Sequence, residues 1–256
     1  MFEYNNIADD IIAIRKKRPL LHIITNFVSM NFVANAVLAV GASPFMALAP
    51  EETEEIASKA DALVLNMGTP TSAGLQAMRN AAAGASVNNV PIILDPVGIG
   101  SSNFREKACK KLLETVRPEV IKGNWNEIGA LIGKNASIGV DCFSSKNLEI
   151  SSDFKSAVCR YADIIVISGE NDIVLSADRK EVIHGGHHLM SNVTGMGCAA
   201  SAVIAAFLSV NPDGFSASTN AMKLMSAVGD EAAKTSKGLG DFAVKFLDIL
   251  SNTHGF

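Results

Sequence analysis

The sequence predicts a three-layer α/β/α fold, in which helices cover both faces of a mostly parallel central sheet. Short apolar segments alternate with longer helical patterns along the chain, as in other α/β proteins. Two of these segments, near residues 92 and 164, are apolar without interruption, which is typical of parallel strands buried on both faces. The 256 residues are 48% hydrophobic but only 6% aromatic. This composition favours closely packed helices on a sheet over an aromatic-rich β-sandwich, and without a linker-like segment we expect one domain over residues 1–256.

The first half of the chain predicts four strands that alternate with helices. Gly41 follows the first helical pattern and is a suitable C-terminal cap, because glycine adopts the left-handed conformation without strain. Pro50 and the acids after it are typical of the first turn of a helix. The predicted strands are Leu20–Thr25, Ser43–Leu48, Ala62–Gly68 and Pro91–Gly98, and the predicted helices are Met30–Val40, a helix from Pro50, Thr71–Asn89 and Phe104–Val116.

The second half predicts two more central strands, a hairpin and four helices. A strand leads into a helix within Glu119–Ile128, and another strand covers Asp163–Asp172. The sequence His-Gly-Gly-His-His at residues 184–188 has conceivable metal-ligand spacing, but its two glycines favour the tip of a hairpin. The remaining expectations are a hairpin from Asp172–Leu175 and Val182–His184, and helices over Cys198–Leu208, Ser216–Thr235 and Asp241–Leu250.

Charge and composition exclude several classes of function. With 22 basic and 26 acidic residues, the net charge of −4 argues against a nucleic-acid partner. The longest strongly apolar stretch, Cys198–Val210, is too short to span a bilayer, so we expect no membrane association. The N-terminal segment does not resemble a signal peptide. Four scattered cysteines without a Cys-x-x-Cys pair predict reduced thiols and a cytoplasmic location: Cys109, Cys142, Cys159 and Cys198.

Polar residues directly follow three of the apolar strands. They are Asn66, Asp95 and Ser168. Polar residues often simply end strands, but in a parallel sheet the carboxyl ends of the strands lie at one edge, where ligands bind. Three such residues in one sheet therefore indicate a shared site.

A glycine-rich segment before the helix at Cys198 is the strongest local feature. Gly195 and Gly197 would let a ligand approach the backbone closely, and the first N–H groups of the helix would face it. Together they would form an anion hole suited to a phosphoryl group in transfer. Cys198 would lie at the helix start, where the pKa of a thiol is lowered. The alternative is a capped, buried helix with an inert cysteine.

A second group of residues could bind polyphosphate, although the chain has no Walker A sequence. Asn124 and Glu127 lie three residues apart, so both could face the same way and orient water around Mg²⁺. Asp95 could supply a second carboxylate, and Lys122 could pair with phosphate as a point charge. The alternatives are that Glu127 complements a helix dipole and that Lys122 is solvated.

Seven segments in order resemble the hydroxyethylthiazole kinase family of the ribokinase-like superfamily. The resemblance spans almost the whole chain, and the pair Gly-Ala-Ser-Pro-Phe-Met-Ala and Asp-Pro-Val-Gly is specific by itself. The matching stretches are His22–Asn26 with Asn31 and Asn35, Gly41–Ala47, Asn66–Thr69, Leu94–Gly98, Lys122–Ile128, Ser168–Asp172 and Val193–Cys198.

The resemblance implies a ribokinase-like fold and ATP-dependent phosphorylation of the primary alcohol of 4-methyl-5-(2-hydroxyethyl)thiazole, in thiamin biosynthesis or salvage. It also implies Mg²⁺ and a homotrimer with active sites between subunits. By motif position, the implied catalytic residues are Cys198 and Gly197, where sugar kinases of the superfamily carry an Asp base in place of the cysteine. The other implied roles are ATP binding by Lys122 and Ser168, substrate binding by Met46 and Gly195, and metal binding by Asp95 and Glu127.

Several positions depart from the family pattern, including Ala199 in place of a usual Met and Gly238-Leu239-Gly240 in place of Gly-Pro-Gly, and three alternative functions stay open. Lys122 replaces a usual Arg, Ser168 a usual Thr, and Met196 a usual Thr. These changes bear on nucleotide affinity and rate rather than on the type of reaction. The alternatives are a hydroxymethylpyrimidine-type kinase, an ADP-dependent hydrate dehydratase, and a catalytically silent ligand-binding module.

Overall fold

The computed structural model describes residues 7–133 and 150–253, and Cys142 lies outside this part of the chain. Its eight strands form a single sheet in the order β2-β1-β3-β4-β5-β6-β7-β8. The first six strands are parallel, and β7 and β8 continue the sheet antiparallel to their neighbours. The mostly parallel sheet predicted from the sequence is thereby confirmed. The strands are β1 (Leu20–Ile24), β2 (Ser43–Phe45), β3 (Ala62–Asn66), β4 (Ile92–Asp95), β5 (Val120–Asn124), β6 (Ile164–Ser168), β7 (Asp172–Leu175) and β8 (Lys180–Ile183).

Helices cover both faces of this sheet. On one face lie α1 (Ile7–Lys17), α2 (Met30–Val40), α9 (Met196–Leu208), α10 (Gly214–Thr235) and α11 (Leu239–Asn252). On the other lie α3 (Thr53–Lys59), α4 (Ser72–Val87), α5 (Asn103–Leu113), α6 (Trp125–Leu131) and α7 (Ser152–Cys159). The short helix α8 (Leu189–Asn192) precedes α9, and a 3-10 turn covers Ile99–Ser101.

Alternate residues of each central strand belong to two separate apolar cores. In β3, Val64 packs with the α9 side, whereas Leu63 and Leu65 pack with the α4 side. Successive side chains of a strand point to opposite faces, so a strand covered on both faces is apolar throughout. This arrangement confirms the three-layer α/β/α architecture.

The direction of winding changes between β1 and β3. Helix α2, which follows β1, lies on one face, whereas α4, which follows β3, lies on the other. In doubly wound sheets, ligands bind beyond the carboxyl ends of the strands at such a switch point. The ends of β1 and β3 therefore mark the expected site.

Several predicted boundaries need correction. Helix α1 was not predicted, β2 ends at Phe45 rather than Leu48, and α9 begins two residues before Cys198. The hairpin tip predicted at residues 184–188 is wrong, because the turn between β7 and β8 lies at residues 176–179. There the Ser176 hydroxyl donates to Asp178 and accepts from the backbone N–H of Arg179, which closes the turn without glycine. The predicted cap Gly41 is confirmed, with a φ of 106°. None of the described helices has the length and apolarity needed to cross a membrane.

Candidate active site

A chain of hydrogen bonds joins polar residues at the carboxyl ends of β1, β3 and β4. Asn26, which follows β1, donates from Nδ2 to Oδ1 of Asn66 at 2.9 Å. Asn66 ends β3 and donates from its own Nδ2 to Oδ2 of Asp95 at 2.8 Å. The two strands are in register at this pair. The predicted strand-end residues Asn66 and Asp95 thus lie together, at the switch point of the sheet.

The same amide of Asn26 also reaches the predicted catalytic cysteine. Its Nδ2 lies 3.3 Å from the Cys198 Sγ, while its Oδ1 accepts the backbone N–H of Ser29 at 3.0 Å. Asn26 is buried, and both ends of its amide are engaged. The thiol of Cys198 is therefore linked through two amides to the carboxylate of Asp95.

Asp95 is a buried acid with an unusual protonation equilibrium. Its Oδ2 also accepts a hydrogen bond from the Ser201 hydroxyl at 2.7 Å. Burial raises the pKa of this carboxyl to about 6, although the nearby ammonium of Lys122 and the bonds from Ser201 and Asn66 act against the rise. Since desolvation remains the larger effect, the ionised carboxylate is undercompensated by its protein partners. A cation beside it would supply the missing compensation.

The glycine-rich entry to α9 contacts the predicted phosphate-binding lysine. Gly195 has a φ of 92°, and a Cβ there would lie 3.0 Å from the Cβ of Ser29. Lys122 is only 4% exposed, and its Nζ donates to the carbonyl of Gly197 at 3.0 Å. A Cβ on Gly197 would lie 3.2 Å from that Nζ. The ammonium is therefore held at the first turn of α9, where it adds positive charge to the unpaired N–H groups.

A cavity of about 570 Å³ opens beside this helix start. Lys122, Ser168, Gly197 and Met196 line it, so three of the predicted site residues meet here. Burial raises the pKa of Asp172, another lining acid, to about 6. The rest of the lining includes methionines of α10 and two histidines of the 184–188 segment: Met222, Met225, His187 and His188. The volume is suitable for a ligand of nucleotide size.

Glu127 forms the capping box of α6. Its Oε2 accepts the backbone N–H of Asn124 at 2.9 Å, and Asn124 Oδ1 accepts the N–H of Glu127 at 3.0 Å. Its Oε1 accepts the N–H of Gly98, in the loop after β4, at 2.8 Å. Glu127 therefore lies at a helix start and caps it, as the alternative to metal binding predicts. Each oxygen still has a second lone pair with which it could bind a metal-coordinated water.

Met46 and Gly195 are not among the residues that line this cavity. Met46 follows β2 and is partly buried against the α9-side core. The next carbonyl, that of Ala47, is hydrogen-bonded to Nε2 of the buried His22 at 3.0 Å. The structure thus places Lys122, Ser168 and Gly197 at the cavity and Asp95 and Cys198 in one network, whereas Glu127 caps α6 and Met46 and Gly195 belong to neither group.

Three further residues contribute to this region, namely Asn26, Ser201 and His187, and the sequence predicts no site role for them. Asn26, like Asn66, directly follows an apolar strand, so the same strand-end criterion could have identified it. Ser201 and His187 carry no such local signal, because one lies inside a helix and the other in an irregular segment. Among residues 7–133 and 150–253, no three His, Cys, Asp or Glu side chains converge as a metal cluster, so residues 184–188 do not form one.

Comparisons with known proteins show which family this chain resembles. The family model described as "HK: Hydroxyethylthiazole kinase family" matches residues 11–254. A hydroxyethylthiazole kinase of Nitratidesulfovibrio vulgaris (strain DP4) is 43% identical over 252 residues, which cover 98% of this chain and 94% of the relative. The solved structure of a hydroxyethylthiazole kinase protein from Pyrococcus horikoshii OT3 is 36% identical, covers 96% of this chain and 93% of that one, and superposes with a TM-score of 0.86.

A more distant structure establishes the fold class. A ribokinase-like superfamily protein from Enterococcus faecalis V583 is only 15% identical but covers 98% of this chain and 89% of its own length, with a TM-score of 0.67. The ribokinase-like fold implied by the sequence is thereby confirmed. Because the family model and the relatives match nearly the whole chain, this chain belongs to the hydroxyethylthiazole kinase family.

Proposed function

We propose that this protein transfers the γ-phosphoryl group of ATP to the hydroxyethyl oxygen of 4-methyl-5-(2-hydroxyethyl)thiazole, in thiamin biosynthesis or salvage. Together with family membership, the buried ammonium of Lys122 is the observation that most directly supports the proposal. It lies against the first turn of α9, at a cavity of nucleotide size. A cytoplasmic location is part of the proposal, and the free thiols of Cys109, Cys159 and Cys198 support it.

In the proposed reaction the thiazole alcohol attacks the γ-phosphorus in line with the leaving group. The bond from the hydroxyl oxygen to phosphorus forms, the bond to the bridging oxygen of ADP breaks, and ADP leaves with that electron pair. In this step the Sγ of Cys198 accepts the hydroxyl proton as a thiolate and becomes the thiol, and the Asn26 amide holds this sulfur in place. Such transition states are loose, so positioning and charge stabilisation outweigh the strength of the base.

The α9 entry and its lysine would stabilise the charge of the transferred group. The backbone N–H groups of Gly195, Gly197 and Cys198 would face the γ-phosphoryl group in this proposal, as at other phosphate-binding helix starts, whereas the N–H of Met196 donates to the Val193 carbonyl. Lys122 would neutralise the polyphosphate, and the Ser168 hydroxyl at the end of β6, which lies 3.5 Å from the Gly123 carbonyl, would turn from it to donate to the polyphosphate. Gly197 keeps this approach open because it has no side chain.

Asp95 and Glu127 are the residues that would hold Mg²⁺, either directly or through its waters. Burial raises the pKa of Asp95, which supports a site that a cation completes. Mg²⁺ prefers carboxylate and phosphate oxygens and keeps several of its waters. When bound, it would neutralise charge on the β- and γ-phosphates.

We further propose a homotrimer in which Met46 and Gly195 bind the thiazole at the boundary between subunits. Apolar side chains next to Asn26 and Met46 support this: Phe27 is 69% exposed, Val28 68% and Phe45 41%. Exposed apolar side chains of this size, grouped beside a site, are typical of interaction surfaces. Burial by a second copy would also enclose the substrate.

A coupled assay of ADP release tests the proposed function. ATP turnover should require both the thiazole alcohol and Mg²⁺, and phosphorus NMR should identify the thiazole phosphate. The hydroxymethylpyrimidine alcohol and hydrated NADH serve as alternative substrates. Turnover with either of these and not with the thiazole would assign a different member of the fold superfamily. Folded protein without turnover on any substrate would indicate a silent binding module.

A further inference from the structure

The guanidinium of Arg105, on α5, bridges the two loops that follow the central strands β3 and β4. Its Nη1 donates to the carbonyl of Met67 at 2.7 Å and to that of Val97 at 2.8 Å. Its Nη2 donates to the carbonyl of Gly68 at 2.7 Å. Three charge-assisted bonds from one side chain thus join the loop after Asn66 to the loop after Asp95.

The same two loops are also joined from the other side by the backbone of Asp95. The N–H groups of Met67 and Val97 both donate to the Asp95 carbonyl, at 3.0 and 2.9 Å. Met67 and Val97 therefore each donate their N–H to Asp95 and give their carbonyl to Arg105. The N–H and the carbonyl of both residues are thus hydrogen-bonded, which fixes the backbone next to Asp95.

The loop after β4, which Arg105 holds at Val97, also contacts Glu127. Gly98 follows Val97, has a φ of 66°, and donates its N–H to Glu127 Oε1 at 2.8 Å. Asn66 directly precedes Met67, which Arg105 holds, and a single residue separates Asp95 from Val97, which Arg105 also holds. Both acids assigned to Mg²⁺ in the proposed function are thus attached to the segments that this arginine joins.

Only an arginine side chain can make this set of bonds. The guanidinium presents several N–H groups in a rigid planar fork, so two nitrogens can serve three carbonyls at once. A lysine at the same position would offer a compact ammonium on a flexible stem and could not hold all three in a fixed geometry.

We propose that Arg105 is a positioning residue for the metal and phosphate side of the active site. Its bonds to Met67, Gly68 and Val97 set the orientation of Asp95 relative to Asn66 and Glu127. Arg105 is not among the residues that line the cavity, so its role would be to orient these groups and not to bind substrate. The kinetic part of this inference rests on the proposed function, whereas its structural part concerns the binding of Mg²⁺ and nucleotide alone.

Three variants test the proposal. Arg105→Ala removes all three bonds, and Arg105→Lys keeps the charge without the fork. Arg117→Ala is the matched control, because Arg117 also bonds two backbone carbonyls, those of Cys159 and Arg160, and pairs with Asp163 away from the site. We expect kcat to fall and the Mg²⁺ concentration for half-maximal rate to rise in both Arg105 variants, by about 10- to 100-fold as for other residues that orient metal ligands. The KM for the thiazole and the rate of the Arg117 variant should change less than about twofold.

Chemical rescue separates positioning from general stability. Guanidinium ion, at concentrations well below those that unfold the protein, should restore part of the rate and the Mg²⁺ affinity of Arg105→Ala. It should not do so for the lysine variant, whose side chain fills the space. Calorimetric titration of each variant with Mg²⁺ and ATP, without thiazole, gives a readout independent of turnover.

Two results would overturn the inference. The first is an unchanged Mg²⁺ requirement in both Arg105 variants. The second is a loss of thermal stability equal to that of Arg117→Ala, together with a loss of rate that guanidinium does not restore. If the wild-type protein fails to phosphorylate the thiazole, the proposed function fails. The titration would still report whether Arg105 organises the Mg²⁺ and nucleotide site.

Discussion

At the scale of single residues, Gly197 lets the Lys122 ammonium lie directly against the first turn of α9. A Cβ at this position would be 3.2 Å from the Lys122 Nζ, and the branches of a valine would displace the ammonium from the Gly197 carbonyl. We expect Gly197→Val to lower kcat by at least 100-fold, a loss comparable to that of one oxyanion-hole donor. Steady-state ADP release with thiazole measures it.

The control for this variant is Gly240→Val, near the start of α11. A Cβ there meets nothing within 4 Å among the described residues, so the rate should stay near that of the wild type. Gly197→Ala should give an intermediate loss, since its single methyl group requires only a small shift of the lysine side chain. A fully active Gly197→Val protein would refute the anion-hole assignment.

Cys198 offers a second test at this scale, because the amide that donates to its thiol could also donate to a carboxylate at the same position. Asn26 Nδ2 lies 3.3 Å from the Sγ and could donate equally to a carboxylate. We therefore expect Cys198→Asp to keep its activity, whereas Asn26→Ala should lower kcat about 10-fold through loss of positioning. Measurement of kcat for both variants tests this. An inactive but folded Cys198→Asp protein would contradict the assigned base position.

Asp95 should make stability depend on pH. Its pKa is 3.8 in the unfolded chain and about 6 in the fold, so between these values the native state binds more protons. The free energy of unfolding from this group therefore decreases as the pH rises from about 4 to 6 and is level above that. We expect Asp95→Asn to be more stable than the wild type at pH 7, by at most about 3 kcal/mol.

This gain should vanish near pH 4, where the native carboxyl is protonated, and urea titrations at both pH values measure it. The asparagine Oδ1 can accept the bonds from Asn66 and Ser201, and its Nδ2 takes the place of the second carboxylate oxygen. Turnover should be lost because the charge is gone. An Asp95→Asn protein that is less stable at pH 7 would show that the carboxylate stabilises the fold.

The strand-end residues of the site could be predicted from sequence, but several of their partners could not. Asn66 and Asp95 are detectable because each directly follows an apolar run, and parallel strands place such ends together. Ser201 and Arg105 have no comparable local signal, because Ser201 meets Asp95 across 106 residues of sequence and Arg105 meets Met67 across 38. Such contacts depend on helix placement, which a single sequence does not specify.

At the scale of secondary-structure elements, Asp213 connects the β7–β8 hairpin to α10. It caps the helix by accepting the Phe215 N–H, and its two oxygens bind the guanidinium of Arg179 at 2.6 and 2.7 Å. The side-chain hydrogen bond from Arg179 lowers the pKa of Asp213 to about 2. Its contribution to stability is therefore present above pH 3.8 and is lost as the pH falls towards 2.

We expect Asp213→Ala to lower the free energy of unfolding by about 1–2 kcal/mol at pH 7, as for other helix caps, because solvent weakens the half-exposed ion pair. The difference should shrink at pH 3, and urea unfolding at the two pH values tests this. Asp163→Ala is the control, since Asp163 pairs with Arg117 at the surface. Equal losses in the two variants would show that the cap adds nothing.

Element types were more predictable than element ends. The apolar run Ser43–Leu48 predicts a strand of six residues, yet only three pair with β1. Beyond Phe45 the backbone turns to His22, whose Nε2 bonds the Ala47 carbonyl and replaces the sheet ladder. Similarly, residues 184–188 contain the glycines of a turn, but Ser176 and Asp178 form the turn of the hairpin. At the end of β2 a tertiary bond overrides the local pattern, and in the hairpin a different local turn forms without glycine.

At the scale of the whole molecule, the sheet explains why the site draws on both halves of the sequence. Asn26, Asn66 and Asp95 come from the first half, whereas Cys198 and Ser201 come from α9, which packs across the ends of β1, β3 and β4. The switch point thus brings the strand ends to the start of this helix. Alternation of strands and helices predicts that convergence, but not the apolar side chains left exposed beside it.

Those exposed side chains lead to a prediction about assembly. If Phe27 and Val28 lie between subunits, Val28→Glu places a charge in an apolar contact and should dissociate the trimer. Analytical ultracentrifugation should then give the mass of one 26.9 kDa chain instead of three. The thiazole site should be lost with the contact, so turnover should fall while calorimetric binding of nucleotide, whose cavity lies within one chain, should persist.

Val87→Glu is the matched control, because Val87 is even more exposed, at 79%, but lies at the end of α4 on the other face of the sheet. This variant should remain trimeric and active. A Val28→Glu protein that stays trimeric would locate the interface elsewhere. A fully active monomer would show that each chain builds its substrate site alone, and would remove the reason for Met46 and Gly195 to lie outside the cavity.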